Sequence, residues 1–152
     1  MRLPRRFPLL GITALVATVA CFLGAPDEPT PLDVTGTWRF TENLADSLRG
    51  VSCTDTGQYV LMQVRDQFEG AYTQTGVCRT PQGVFANRQQ GNVTGGHVVG
   101  VKIQFHVPLN CDYAGSLDGA PPSGVAGTGY CVVRDSTGRT VYNYTGPWKA
   151  IR

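Results

Sequence analysis

The stretch that decides the fold is residues 97–107, HVVGVKIQFHV. From Val99 to Val107 an apolar residue occupies every second position, and glycine or polar residues occupy the positions between. This alternation predicts a β-strand, His97–Val107, with one buried and one solvent-facing side. Asn92–Thr94 precede it as a shorter strand, and Gly95-Gly96 predict a two-residue hairpin turn because both positions tolerate positive φ.

Short alternating segments separated by turn-forming residues recur along the rest of the chain. Most connections have hairpin length; only the loop containing Cys53 and the stretch 79–90 are longer, and no segment shows the periodicity of a long helix. The sequence therefore predicts an all-β domain of about eight antiparallel strands. These strands are Val34–Glu42, Tyr59–Arg65, Phe68–Cys78, Asn92–Thr94, His97–Val107, Cys111–Leu117, Val125–Val133 and Thr140–Arg152.

Composition supports the same fold class. A chain of 152 residues corresponds to one domain. Only 16% of the residues are charged and 19 are glycine, which is typical of turn-rich β structure and not of helical bundles or disordered chains. Without the three N-terminal arginines the formal net charge falls from +2 to −1. We therefore expect no nucleic-acid partner.

The N-terminus has the layout of an export signal. Residues 1–7, MRLPRRF, carry three arginines, and an uncharged run of 12 residues, Leu9–Ala20, follows. That run is too short to cross a bilayer as a helix, so we interpret residues 1–20 as a signal peptide. The alternative is an uncleaved leader in which Cys21 is an ordinary buried thiol.

Thr18-Val19-Ala20-Cys21 resembles the lipobox of bacterial lipoproteins. In that family the cysteine becomes the first residue of the mature protein and carries the lipid, diacylglycerol and palmitate. The resemblance implies lipidation of Cys21 and an exported protein anchored in a membrane of the bacterial cell envelope, facing the periplasm or the outer surface. Residues 21–33 then form a lipidated, Pro-rich tether, and residues 34–152 form the β domain.

The cysteine count fits an oxidising compartment. Five cysteines are an odd number, and assigning Cys21 to the lipid leaves four that can form two disulfides. Their spacing contains no CxxC pair and neither histidine lies beside them in sequence, so we expect no metal site.

The expected hairpin register determines which cysteines lie opposite each other and can form disulfides. The turn Asp118–Gly124 is centred on Pro121, which places Cys111 directly opposite Cys131. A turn at Asp66-Gln67 brings Cys53 within one or two residues of Cys78. We therefore predict the disulfides Cys53–Cys78 and Cys111–Cys131.

Gly36-Thr37-Trp38 on the first strand resembles the G-x-W motif that opens lipocalins, and avidins begin with a similar glycine–tryptophan strand. The resemblance implies an eight-stranded up-and-down barrel with Trp38 packed at its floor. It also implies a basic residue of the last strand, Arg152 or Lys149, lying across that tryptophan.

Inward-facing aromatic and aliphatic side chains could either line a ligand cavity or form a packed core, since small eight-stranded barrels do both. The candidates for binding a small apolar ligand are Trp38, Phe40, Met62, Tyr72, Phe105, Tyr144 and Trp148.

Catalytic signals are weak. Ser116 lacks the glycine that follows a nucleophile elbow, and Gly127-Thr128-Gly129 lacks the third glycine of a dinucleotide loop. His97 and His106 have opposite parity on the predicted strand, so they cannot share a metal ion. We expect no cofactor and no enzymatic activity.

Three hypotheses remain. The first is a lipid-anchored, non-enzymatic barrel that binds a small apolar ligand. The second is a structural or interaction lipoprotein with a packed core, whose envelope partners the sequence does not identify. The third, a hydrolase, is the weakest because no nucleophile–base set emerges.

Overall fold

The computed structural model describes residues 30–152, in which eight antiparallel strands form a closed barrel. Each strand pairs with the next along the chain, and the last pairs with the first. The predicted all-β, eight-stranded, up-and-down barrel is therefore confirmed. The strands are β1 Gly36–Asp46, β2 Val51–Val64, β3 Gln67–Thr80, β4 Gly83–Val99, β5 Lys102–Val107, β6 Cys111–Leu117, β7 Gly124–Arg134 and β8 Thr140–Ile151.

The prediction of one strand over residues 97–107 is wrong, because the chain reverses in its middle. β4 ends at Val99, which pairs with Lys102, and Gly100 between them takes a φ of 55°. The reversal changes the parity of the inward positions, so Val99 and Val101 are 53% and 49% exposed although Ile103 is buried. An apolar alternation continues through a two-residue turn and therefore does not reveal it.

The predicted hairpin turn at Gly95-Gly96 is also wrong. Both glycines lie inside β4, where the pairing with β5 shifts register between Thr94 and His97. Gly95 has a φ of 60°, so glycine serves a bulge here instead of a turn. The stretch 79–90, expected to be a loop, mostly belongs to a long β3–β4 hairpin that turns at Pro81-Gln82.

Trp38 closes one end of the barrel, as the lipocalin resemblance implied. Its indole Nε1 donates a hydrogen bond of 2.8 Å to the carbonyl oxygen of Val34, which is fully buried beneath it. The guanidinium carbon of Arg152 lies 5.0 Å from the centre of the indole ring, and Arg152 Nη2 donates to the carbonyl oxygen of Thr35 at 2.6 Å. Arg152 therefore occupies the expected position, whereas Lys149 points to solvent.

Aromatic rings fill the middle of the barrel. Phe105 stacks on Tyr113 with ring centres 5.1 Å apart, and Trp148 meets Phe105 edge-on at 5.4 Å. Glycines on the inner face make room for these rings. A Cβ atom at Gly129, for example, would lie 2.8 Å from the Tyr113 ring, closer than packed carbon atoms approach. The glycines next to aromatic residues therefore have a packing reason.

Both predicted disulfides are present. Cys53–Cys78 joins β2 to β3 and Cys111–Cys131 joins β6 to β7, each between residues directly opposite in the sheet. The β2–β3 turn is at Arg65-Asp66, one residue earlier than expected, which removes the predicted offset between Cys53 and Cys78. Both bridges lie at the end of the barrel away from Trp38.

The signal peptide 1–20, the lipidation site Cys21 and most of the tether 21–33 lie outside the described residues. Residues 30–152 contain no helix long and apolar enough to cross a membrane.

Candidate functional site

A cavity of about 170 Å³ lies inside the barrel at the end that carries the two disulfides. This end is formed by the β1–β2, β3–β4, β5–β6 and β7–β8 connections, opposite the end that Trp38 closes. Apolar side chains and the cystine sulfurs form most of the wall, and a group of polar side chains is concentrated on β1 to β4. The polar lining residues are Glu42, Asp55, Gln74, Asn87, Gln89 and Tyr113.

Two buried carboxyl groups, Glu42 and Asp55, define this site. Glu42 on β1 is 2% exposed and Asp55 on β2 is 1% exposed. The two residues are directly opposite each other in the β1–β2 register, and both side chains line the cavity. Like charges in directly opposite positions destabilise a sheet, and a buried carboxylate costs further free energy. Two carboxyl groups in these positions therefore oppose folding whenever both are ionised.

Burial raises the pKa of Glu42 to about 7. The hydroxyl of Tyr113 donates a hydrogen bond of 2.7 Å to Glu42 Oε2, which works against that increase, and the charge of Asp55 adds to it. Glu42 is consequently divided between its neutral and ionised forms near neutral pH.

Asp55 is held by a chain of amide side chains. Asn87 Nδ2 donates to Asp55 Oδ1 at 3.0 Å, and Gln89 Nε2 donates to Asn87 Oδ1 at 3.0 Å. Burial raises the pKa of Asp55, and the hydrogen bonds from Asn87 and Gln74 oppose this. The amide chain fixes the position of the carboxyl group but supplies no positive charge.

The cavity lining includes no lysine, arginine or histidine among the described residues. The ion pairs found in residues 30–152 lie elsewhere: Arg49 with Asp46, His97 with Asp66, His106 with Asp112 and Arg139 with Asp135. Glu42 and Asp55 therefore share a small space without a counter-ion from the described chain.

The structure places the predicted ligand-binding residues in three locations: the aromatic core, the cavity wall and the outer surface. Trp38, Phe40, Tyr72, Phe105 and Trp148 are buried in the aromatic core and not in the cavity wall. Tyr144 lines the cavity.

The prediction that Met62 faces inward is wrong, because its side chain is 67% exposed on the outer surface. Residues 59–62 are all apolar, so the sequence does not show which alternate positions face inward. In the structure these are Tyr59 and Leu61.

Sequence reasoning missed Glu42 and Asp55. A signal for Glu42 was present, since it continues the inward alternation of Trp38 and Phe40. Asp55 lies two residues after Cys53 in a segment that was expected to be a loop and belongs to β2.

Within residues 30–152, no three His, Cys, Asp or Glu side chains are grouped so that they could hold a metal ion. His97 lies on β4 and His106 on β5, not on one strand as expected. His97 contacts Asp66, and His106 contacts Asp112. Ser116 accepts a hydrogen bond of 2.7 Å from Lys102.

No family model, curated protein or solved structure matches this chain. The closed barrel of eight antiparallel strands is compatible with a lipocalin-like fold.

Proposed function

We propose that this chain is a lipid-anchored, non-enzymatic protein of the bacterial envelope whose barrel binds a small molecule. The observation that carries the proposal is the cavity beside Glu42 and Asp55, in a barrel whose remaining interior is filled with aromatic rings. Drug-sized ligands occupy pockets of about 300–1,000 Å³, whereas a cavity of about 150 Å³ accepts benzene. At about 170 Å³ the cavity suits a compact ligand with one ring or a short chain.

The lining refines the expected ligand chemistry. Leu44, Val107 and Tyr144 offer an apolar wall, whereas Glu42 and Asp55 offer hydrogen-bond acceptors. A wholly apolar ligand would exclude water from these carboxyl groups and add no donor to the hydrogen bonds from Tyr113 and Asn87, which is unfavourable when the groups are ionised. A molecule with an apolar body and one polar group fits the lining better.

The proposed anchor is compatible with access to the cavity. The chain enters the barrel at Val34, next to Trp38, at the end opposite the cavity. A tether from Cys21 to that point spans up to about 45 Å when extended. A lipid on Cys21 would thus be attached at the end opposite the cavity, so the anchor itself would not occupy the cavity end.

The alternative, an interaction lipoprotein without a ligand, is favoured by one observation. Val60, Met62 and Val64 are exposed apolar residues at alternating positions on the outer face of β2. Such a strip is a candidate contact surface for another envelope protein.

Backbone amide NMR of the exported chain with Cys21→Ser, titrated with benzyl alcohol and benzylamine, tests the proposal. Saturable shifts at Leu44, Val107 and Tyr144 with either probe support ligand binding in the cavity. An absence of shifts there with both probes contradicts it and favours the interaction lipoprotein.

A further inference from the structure

The two inward carboxyl groups accept hydrogen bonds from Tyr113 and Asn87, but no cation among the cavity-lining residues of the described chain balances their charge. Glu42 and Asp55 face each other across β1 and β2, at positions where an apolar pair would stabilise the sheet. Departures from local stability rules of this kind are expected at functional sites. The cavity next to them supplies the space for a group that would balance their charge.

Hydrogen-bonding capacity is left over on Glu42. Among the described residues, Tyr113 donates the one hydrogen bond that reaches this carboxyl group, and it does so at Oε2. A carboxylate can accept several hydrogen bonds, so a donor from a ligand in the cavity can also bind to Glu42. An ionised carboxylate only accepts hydrogen bonds, and an ammonium group only donates them.

We infer that the cavity selects a small organic cation, a protonated amine with a compact apolar body, whose ammonium group lies between Glu42 and Asp55. This inference rests on the proposed function, because it names the ligand class of the same cavity. An anionic ligand would be repelled by the two carboxyl groups, and a neutral one would leave their charge unbalanced. The apolar wall of Leu44, Val107 and Tyr144 receives the body of the amine.

The groups that face Glu42 from other strands are Asp55 and Tyr59 on β2, Tyr72 on β3 and Tyr113 on β6. Burial raises the pKa of all three tyrosines, so they stay neutral at physiological pH, where Glu42 titrates. An ammonium ligand requires ionised Glu42, whose pKa is about 7 without ligand. Affinity for an amine should therefore increase about tenfold from pH 6 to pH 8.

The experiment compares benzylamine with benzyl alcohol, which has nearly the same shape but no charge, on the exported chain with Cys21→Ser. At pH 8 we expect benzylamine to bind at least about tenfold more tightly than benzyl alcohol, because one charge-assisted hydrogen bond contributes about this much affinity. Glu42→Gln and Asp55→Asn should each reduce this preference and flatten the dependence on pH. Glu69→Gln, which removes an exposed carboxylate from β3, is the matched control and should change neither.

Benzyl alcohol binding in the cavity as tightly as benzylamine would overturn the inference and leave the proposed function standing. Binding of neither probe would overturn both. If a variant fails to fold, the pH profile of the parent chain decides: equal benzylamine affinity at pH 6 and pH 8 contradicts the inference.

Discussion

Replacing Glu42 by glutamine should stabilise the protein in a pH-dependent way. Burial raises the pKa of Glu42 in the folded state from 4.5 to about 7. Between these values the unfolded chain has released the proton that the folded chain still holds, so stability falls as pH rises through this window. Glutamine cannot ionise, and its amide oxygen can still accept the hydrogen bond from Tyr113.

The magnitude follows from the size of the pKa shift. One pKa unit corresponds to about 1.4 kcal/mol, so the change at Glu42 corresponds to about 3 kcal/mol of unfolding free energy. Glu42 is 2% exposed, so solvent screens this effect little. Wild type and Glu42→Gln should have similar stability at pH 4, and the variant should be more stable by about 3 kcal/mol at pH 8.

Equilibrium urea unfolding at intervals between pH 4 and pH 8, with the disulfides intact, measures this difference. Four aspartates accept hydrogen bonds that lower their pKa values: Asp33, Asp46, Asp118 and Asp135. The stability that each one contributes to the fold is lost at lower pH, and this happens equally in wild type and variant. Taking the difference between variant and wild type cancels these contributions. A difference that is constant with pH, or that favours wild type as pH rises, would refute the account of Glu42. Glu69→Gln is the control and should show no such trend.

Three further predictions concern the anchor, the core and the disulfides. Cys21→Ser should abolish acyl labelling and move the protein to the soluble fraction, whereas a native N-terminus at Pro26 would contradict the lipobox. Trp38→Ala should lower the unfolding free energy by about 3–5 kcal/mol through lost packing, and Lys102→Ala on the outer face should change it by less than about 0.5 kcal/mol, as denaturant titration would show. Peptide mapping without reduction should recover the Cys53–Cys78 and Cys111–Cys131 peptides, each bridge contributing about 3–4 kcal/mol in the chain-entropy model; a Cys53–Cys131 peptide would contradict the hairpin register.

Strand identity and disulfide pairing could be predicted because both depend on local signals. A hairpin turn determines which residues are opposite each other, so locating Pro121 in its turn was enough to pair Cys111 with Cys131. The same local reasoning failed at Gly95 and Gly100, because glycine permits a bulge and a turn equally well. Only the pairing with neighbouring strands distinguishes the two outcomes.

The site could not be predicted because its polar residues come from segments without apolar alternation. Asp55, Asn87 and Gln89 lie in parts of β2 and β4 that are rich in Thr, Gln, Asn and Gly. These segments become strands because the neighbouring ladders continue through them, which is a tertiary effect. The contact of Glu42 with Tyr113 joins residues 71 positions apart and exists only after the barrel closes.

The disulfides belong to the buried interior and also support the site. Each lies two residues from a side chain of the site on the same inward face, Cys53 beside Asp55 and Cys111 beside Tyr113. At the opposite end, the stacked indole and guanidinium of Trp38 and Arg152 hold the strands without a covalent link. The cavity end contains the buried carboxyl groups of Glu42 and Asp55, which oppose folding when ionised. Cross-links at this end thus keep Asp55 and Tyr113 in position beside the cavity.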